Sequence, residues 1–307
     1  MARIPAPLPF DRPFGVFPTA RAATSLDPNR FRRRDFVPLT RGVRLARSAA
    51  FDPLARIRGF GLVLGGARFL SHTTAAFVWG MPLPRGFEAL DAPVHVTTMG
   101  AAALMRRSTV VAHRIDPTRA SVVVVRGLRV SDPVLTWYSC RSLLSPTELV
   151  VLGDHIVGRA RLATVDDLRR ACRAGDRAVS IARVAASRVR VGAESAMETR
   201  VRLIVIDADF PDPELNVDVR DEHGRFLGRA DIAWPRLRIA IEYDGDHHRT
   251  DIDTFHHDRL RGNGFAVNDW IVIHSTSADV RDPAAMLARL QDAFTRRAAE
   301  VAREGAR

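Results

Sequence analysis

The sequence predicts an α/β protein of two domains, and three observations carry that expectation. Its 307 residues exceed the usual span of one domain, about 100 to 200 residues, so two are expected. From Val191 onward the hydrophobic pattern switches between helical and two-residue periods in the order helix, strand, strand, strand, helix, strand, helix. The part before it gathers its β-rich runs between Val94 and Val130 and follows them with helix-like segments, the segregation of an α+β domain. The boundary falls where the composition shifts near Arg188, giving an N-terminal α+β region, 1–188, and a C-terminal α/β unit, 189–307.

Residues 1–30, rich in proline and small residues, read as an extended lead-in. A strand is expected around Gly42 to Leu45. Ser71 to Pro84, SHTTAAFVWGMPLP, reads as a short helix ended by Gly80 and two prolines. VHVTT, TVVAHR and SVVVVRGLRV predict a small antiparallel sheet. Ser131-Asp132-Pro133 starts a helix with proline in its first turn. Ser145-Pro146-Thr147-Glu148 has the capping-box pattern, and Thr164 to Asp167 a similar form with Asp167 where the box prefers Glu or Gln. In the second domain GAESAMETRVRLIVIDADF is a helix, while LNVDVRD, RFLGRADIAW and LRIAIEYDG are strands, the first two joined by a hairpin at Asp221-Glu222-His223-Gly224. TDIDTFHHDRLRG, DWIVIHS and DPAAMLARLQDAFTRRAAEVA complete it as helix, strand and helix.

No run approaches the roughly 18 apolar residues of a membrane span, and MARIPAPLPF lacks the apolar stretch of a secretory signal, so a cytoplasmic protein with no membrane partner is expected. Cys140 and Cys172 have neither the number nor the spacing of a disulfide framework or zinc site and read as buried, reduced thiols. The net charge of +11 favours a polyanion such as nucleic acid. Lysine is absent, however, and the arginines are scattered along the chain, the mark of GC-rich coding; charge alone therefore fixes no binding face.

The segment Asp231 to His248, DIAWPRLRIAIEYDGDHH, is the strongest candidate for a site. Strands Phe226 to Trp234 and Leu237 to Asp244, joined by a tight turn at Arg236-Leu237, set Asp231 directly opposite Glu242. Opposed positions lie roughly 5 Å apart, and two carboxylates there are destabilising unless a positive group joins them. Alternation puts Ala240, Glu242 and Asp244 on one face and Ile239, Ile241 and Tyr243 on the other. Hard oxygen donors of this kind suit Mg²⁺ or Mn²⁺. Glu194 is expected on one helical stripe with Met197, Val201, Ile204 and Ala208, an acid on an apolar face in want of a partner, whereas Glu198 and Arg202 read as an exposed i,i+4 pair. His247 and His248 follow Gly245, and a histidine there is able to take a proton from water at neutral pH, His248 being preferred. Arg259 and Arg261 are candidates for phosphate contact.

A helix with glutamate, a strand with Asp231 and a strand with Glu242 together resemble the PD-(D/E)XK nuclease superfamily. More narrowly, GAESAMETRVR, FLGRADIAWP, IAIEYDGDHHR, HHDRLRG and WIVIH, across roughly residues 190 to 285, are similar to a widespread bacterial family of uncharacterised proteins related to very-short-patch mismatch-repair endonucleases. LTRGVRL, FLSHTTAAFVWGMPLP, VHVTT, RGLRVSDPVLTW and LVVLGDHIVGR resemble antitoxins of abortive-infection type IV toxin–antitoxin systems. These resemblances imply a restriction-endonuclease-like C-terminal domain, a mixed sheet flanked by helices, that hydrolyses DNA phosphodiester bonds without a small-molecule cofactor. They imply Mg²⁺ or Mn²⁺ on Asp231, Glu242, Glu194 and the Tyr243 carbonyl, Asp244 and His248 in the catalytic set, and His247, Arg249, Arg259 and Arg261 toward DNA. A toxin–antitoxin partner protein is also implied. The superfamily's lysine, two residues beyond Glu242, is Asp244 here, so a second metal or a histidine must take its part. Asn268-Asp269-Trp270 also replaces the glycine-tryptophan pair common in relatives. The alternative is a non-catalytic nucleic-acid-binding or antitoxin-like regulatory protein on a degenerate nuclease fold.

Overall fold

The computed structural model of the chain describes residues 15–19, 34–245 and 265–304. The chain forms two compact units, residues 1–152 with 166–184 and residues 153–165 with 185–307, both of mixed α/β composition.

In the first unit β1 (Val16–Pro18), β2 (Phe36–Thr40) and β3 (Val43–Ala46) form an antiparallel sheet in the order β1-β3-β2, so part of the expected lead-in is a paired strand. Helix α1 (Pro53–Gly61) starts on Asp52, whose carboxylate accepts from Leu54 N at 2.8 Å. Its Gly59 lies so close to the sheet that a Cβ there would meet the Leu39 side chain at 2.2 Å.

A second sheet follows, built from β4 (Arg68–Leu70), β5 (Val94–Met99), β6 (Val110–Ile115), β7 (Val122–Val125) and β8 (Leu128–Ser131) in the order β6-β5-β4-β8-β7. This sheet is mixed, not antiparallel as the pattern of strands implied: β5 with β6 and β4 with β8 are parallel. Between Met99 and Val110 the chain is long enough to return to the start of the neighbouring strand, which a hairpin turn is not. Helix α2 (His72–Trp79) closes on Gly80 at φ 74, where a Cβ would be strained. Helix α3 (Pro133–Cys140) starts on Asp132, which accepts from Leu135 N at 2.6 Å. Helices α4 (Pro146–Val157), α5 (Val165–Ala171) and α6 (Val179–Arg188) follow, α4 starting with Glu148 N donating to Ser145 Oγ. Phe60, Leu70, Ala75, Val78, Val96 and Val130 form the core between α1, α2 and the sheet. Cys140 and Cys172 are free thiols, and burial pushes both up.

The second unit runs α7 (Ala196–Asp207), β9 (Glu214–Arg220), β10 (Phe226–Trp234), β11 (Ile239–Tyr243), β12 (Ile271–Ser275), α8 (Ser277–Arg281) and α9 (Ala284–Glu304). Its sheet has the order β12-β11-β10-β9, with β11 and β12 parallel and the other pairs antiparallel. The β9–β10 hairpin turns at Gly224, φ 79. One sheet face, with Ile232, Trp234, Ile239, Ile241 and Ile273, packs on Val201 and Val205 of α7 and on Met286, Leu290 and Ala293 of α9. Ala233 and Ala240 face the other way, toward Phe265. Beneath α7, Asp154 accepts from Arg190 N (2.8 Å), Thr199 Oγ1 (2.9 Å) and Arg202 Nη2 (2.8 Å), and the Asp154 and Arg202 side chains are each 1% exposed. Burial raises the Asp154 carboxyl, opposed by the Arg202 charge and these hydrogen bonds. The expected helix TDIDTFHHDRLRG lies outside the described residues. Among the described residues, no helix is long and apolar enough to cross a membrane.

Candidate metal and catalytic site

The site is built on the β10–β11 hairpin. Its loop is four residues, Pro235 to Arg238, a 3-10 turn closed by Arg238 at φ 48, and not the two-residue turn expected. Both loops centre on the same point of the chain, so the register is the same: Ile232 opposes Ile241, and Ala233 opposes Ala240. Continued by one step, this register runs toward Asp231 and Glu242, and the Tyr243 N–H donates to Asp231 Oδ2 at 2.8 Å. The clusters respect the alternation, with Ile239, Ile241 and Tyr243 on the helix side and Ala240 on the other, the side that Glu242 shares.

Neighbouring strands extend this pair into a row. Glu242 is the register partner of His274 on β12. His274 Nδ1 lies 3.2 Å from Asp244 Oδ2 and 3.3 Å from its Oδ1, so an imidazole and a carboxylate stand beside Glu242 at the end of the parallel pair. On the other side Asp231 lies between Ala230 and Ile232, which pair with Val217 and Leu215, and therefore opposes Asn216. Asn216, at φ 50, turns its amide to the Glu198 Oε2 (2.9 Å) and the Gly192 carbonyl (2.5 Å).

The helix acids are exchanged relative to the sequence expectation. Glu194 is not on the helical stripe; it precedes Ser195, the N-cap of α7, is exposed, and pairs with Arg229 at 3.0 Å. Glu198 is buried and accepts from Glu194 N at 2.8 Å as well as from Asn216, while Ser195 Oγ accepts from Glu198 N at 3.1 Å. Arg202 does not form the exposed pair with Glu198, because it is drawn inward to Asp154. The helix acid in contact with the sheet is thus Glu198. The signal was present in Ser195-x-x-Glu198, a capping-box spacing. Glu242 and Asp244 stand beside His274, which the sequence pattern did not single out, and Asp231 accepts from the Tyr243 N–H. His247, His248, Arg249, Arg259 and Arg261 lie outside the described residues.

The first unit carries a second polar cluster, of His72, His95 and His113, with one nitrogen of each within 4.8 Å of the others. Thr97 and His113 are register partners on β5 and β6, and His95 stands two residues before Thr97 on the same face. Thr97 Oγ1 donates to Ser71 Oγ (2.7 Å), which leaves the Ser71 proton for His72 Nδ1 (2.8 Å). His95 Nδ1 and His113 Nε2 are 2.9 Å apart. The rings stack, His72 on His113 with centroids 3.7 Å apart and planes at 20°. Imidazole lone pairs lie in the ring plane, so a cation at about 2.0 to 2.1 Å from a nitrogen of one ring would sit out of the plane of the other. His72 stacks on His113, which shares a hydrogen bond with His95. Burial depresses all three, aided at His72 by His113, His95 and Arg141 and at His95 by His113: His72 falls to about 2 and His95 to about 4.

These features define a two-unit mixed α/β protein with acids on the central strands of its second sheet. The chain belongs to the family of two Mycobacterium tuberculosis proteins, Uncharacterized protein Rv2248 of strain H37Rv and Uncharacterized protein MT2308 of strain CDC 1551. Each is 31% identical to it over 218 residues, 64% of this chain and 79% of theirs. No protein-family profile and no solved structure matches the chain.

Proposed function

We propose that the second unit is a metal-dependent endonuclease that hydrolyses DNA phosphodiester bonds, on a restriction-endonuclease-like fold. The observation that supports the reading is the β10–β11 register, Ile232 with Ile241, which continued by one step runs toward the two acids Asp231 and Glu242. The donor set is hard oxygen, which fits Mg²⁺ or Mn²⁺, and Asp231 and Glu242 are the residues that would hold it. A bound divalent cation supplies charge stabilisation at a phosphoryl oxygen and acidifies water.

The protein's own groups supply the rest. Asp244 replaces the lysine of the resembled superfamily and orients His274 through its carboxylate. His274, the register partner of Glu242, would take the proton of an attacking water at its other nitrogen, with Asp244 stabilising the imidazolium. Glu198 acts one step removed, holding Asn216 beside Asp231. Such an enzyme belongs in the cytoplasm with DNA, in repair or in defence, and the N-terminal resemblance points to a toxin–antitoxin partner.

The second reading, a nucleic-acid-binding or antitoxin-like protein that has lost the chemistry, is favoured by the missing lysine and by the altered late strand at Asn268-Asp269-Trp270. Incubation with supercoiled plasmid and Mn²⁺ or Mg²⁺ separates the two. Nicking that EDTA stops supports the nuclease, and a mobility shift without cleavage supports the binder.

A further inference from the structure

The first unit holds a cavity of about 700 Å³, within the range that small ligands fill. Six arginines line it, Arg114, Arg119, Arg141, Arg170, Arg173 and Arg177, against the three aspartates Asp116, Asp132 and Asp167. With its histidines neutral, six positive and three negative groups leave the wall at +3. The acids are already engaged. Asp116 caps a turn through Thr118 N (2.8 Å), Asp132 caps α3, and Asp167 pairs with Arg170 at 2.5 Å. Arg119 is clamped on Asp176, which also accepts from the Tyr138 hydroxyl at 2.7 Å.

Arg114, Arg141, Arg173 and Arg177 remain, and among the described residues no carboxylate lies within ion-pair range of them. Arg141 is fixed in place: its guanidinium lies 3.8 Å from the Tyr138 ring centroid and donates to the carbonyls of Tyr138 (2.6 Å) and Arg177 (2.9 Å). Arg114 donates to the carbonyls of Gly100 and Ala102. Carbonyls orient a guanidinium without cancelling its charge.

Against this wall stand His72 and His113, the two members of the histidine stack that line the cavity. His72 is held at φ 51, a left-handed conformation that is strained for a non-glycine residue. Strain kept at a buried residue on a cavity wall is a mark of a binding site. Ser71 Oγ lies 2.8 Å from His72 Nδ1 and holds the ring in place.

We propose that this cavity binds a phosphomonoester, carried by a free nucleotide or by the 5′ end of a nucleic-acid strand, with Arg141, Arg173 and Arg177 on the phosphate. A concave wall admits a terminal group, whereas a duplex backbone lies along a surface. A dianion also matches a +3 lining more closely than the single charge of a diester, and arginine is the side chain whose fork fits phosphate oxygens in pairs. The site is independent of the acidic pair in the second unit.

The test is isothermal titration of the full chain in EDTA at low ionic strength with AMP, with adenosine, and with two single strands of one sequence bearing a 5′-phosphate or a 5′-hydroxyl. AMP and the phosphorylated strand are expected to bind at least tenfold more tightly than their unphosphorylated counterparts, and the tighter of the two identifies the source of the phosphate. Arg173 and Arg177 are exposed, so Arg173→Gln with Arg177→Gln should preserve the melting temperature and weaken AMP at least tenfold. Glu242→Ala should bind AMP as the native chain does, which separates this site from the nuclease reading. Equal binding with and without phosphate, or undiminished binding by the double arginine variant, overturns the proposal.

Discussion

Acidification from pH 7 to pH 5 should selectively weaken the first unit, through His72 and His95. Both are buried, and their folded pKa values, about 2 and about 4, lie below the ordinary 6.5. The unfolded chain therefore binds protons that the folded chain refuses, and the sign follows: stability is fully present above pH 6.5 and falls as the pH drops from there toward the folded values. Each pH unit over which the unfolded chain holds one proton more than the folded chain is worth about 1.4 kcal/mol. Between pH 7 and pH 5 each histidine thus removes about 2 kcal/mol, or roughly 3 to 4 kcal/mol for the pair. His113, lowered by the same burial, acts in the same direction. Urea unfolding at pH 7, 6 and 5 reads this directly, in a Trp234→Phe, Trp270→Phe background whose remaining tryptophans, Trp79 and Trp137, belong to the first unit. With a urea slope of about 1 to 3 kcal/mol/M the midpoint should fall by about 1 M or more. A change equivalent to less than about 1 kcal/mol would show that the stack is already protonated or open to water, and the reasoning from burial would be wrong.

Removing one partner of the Asp154–Arg202 pair, as in Arg202→Met, should cost about 3 to 5 kcal/mol by leaving a buried charge alone, whereas the double change Asp154→Leu, Arg202→Met should recover much of it; thermal unfolding followed by Trp234 fluorescence decides. Glu198→Ala should lower stability by about 1 to 2 kcal/mol through lost hydrogen bonds at the start of α7, and Glu194→Ala by less than about 1 kcal/mol because its pair with Arg229 is exposed; paired melting curves compare them. His274→Gln should lower the rate of plasmid cleavage about 10²- to 10⁴-fold.

The hairpin at the centre of the site was legible because alternation and a short connection constrain each other: any short loop centred between Arg236 and Leu237 runs the register toward Asp231 and Glu242, whatever its turn type. The caps at Asp132 and Ser145 were legible for a similar reason, since each is a local pattern closed by one hydrogen bond. The start of α7 was misread although its signal was local. Apolar periodicity runs outward to Glu194, whereas Ser195 with Glu198 marks the boundary, and Arg202 turns inward to a partner 48 residues earlier that no local pattern announces. His274 and the histidine stack were beyond the pattern. Their positions depend on parallel pairing, β11 with β12 and β5 with β6, and a parallel register leaves no trace in the connecting sequence comparable to a hairpin turn.

The acids Asp231 and Glu242 are tested most directly by one assay: nicking of supercoiled plasmid by the full chain in Mn²⁺ or Mg²⁺, beside EDTA and the Asp231→Asn and Glu242→Ala proteins. A metal-dependent nuclease centred on this pair converts the plasmid to the open circle, and both variants lose that conversion. Intact plasmid under every condition, or cleavage undiminished in Glu242→Ala, would contradict the assignment of these acids to metal and catalysis.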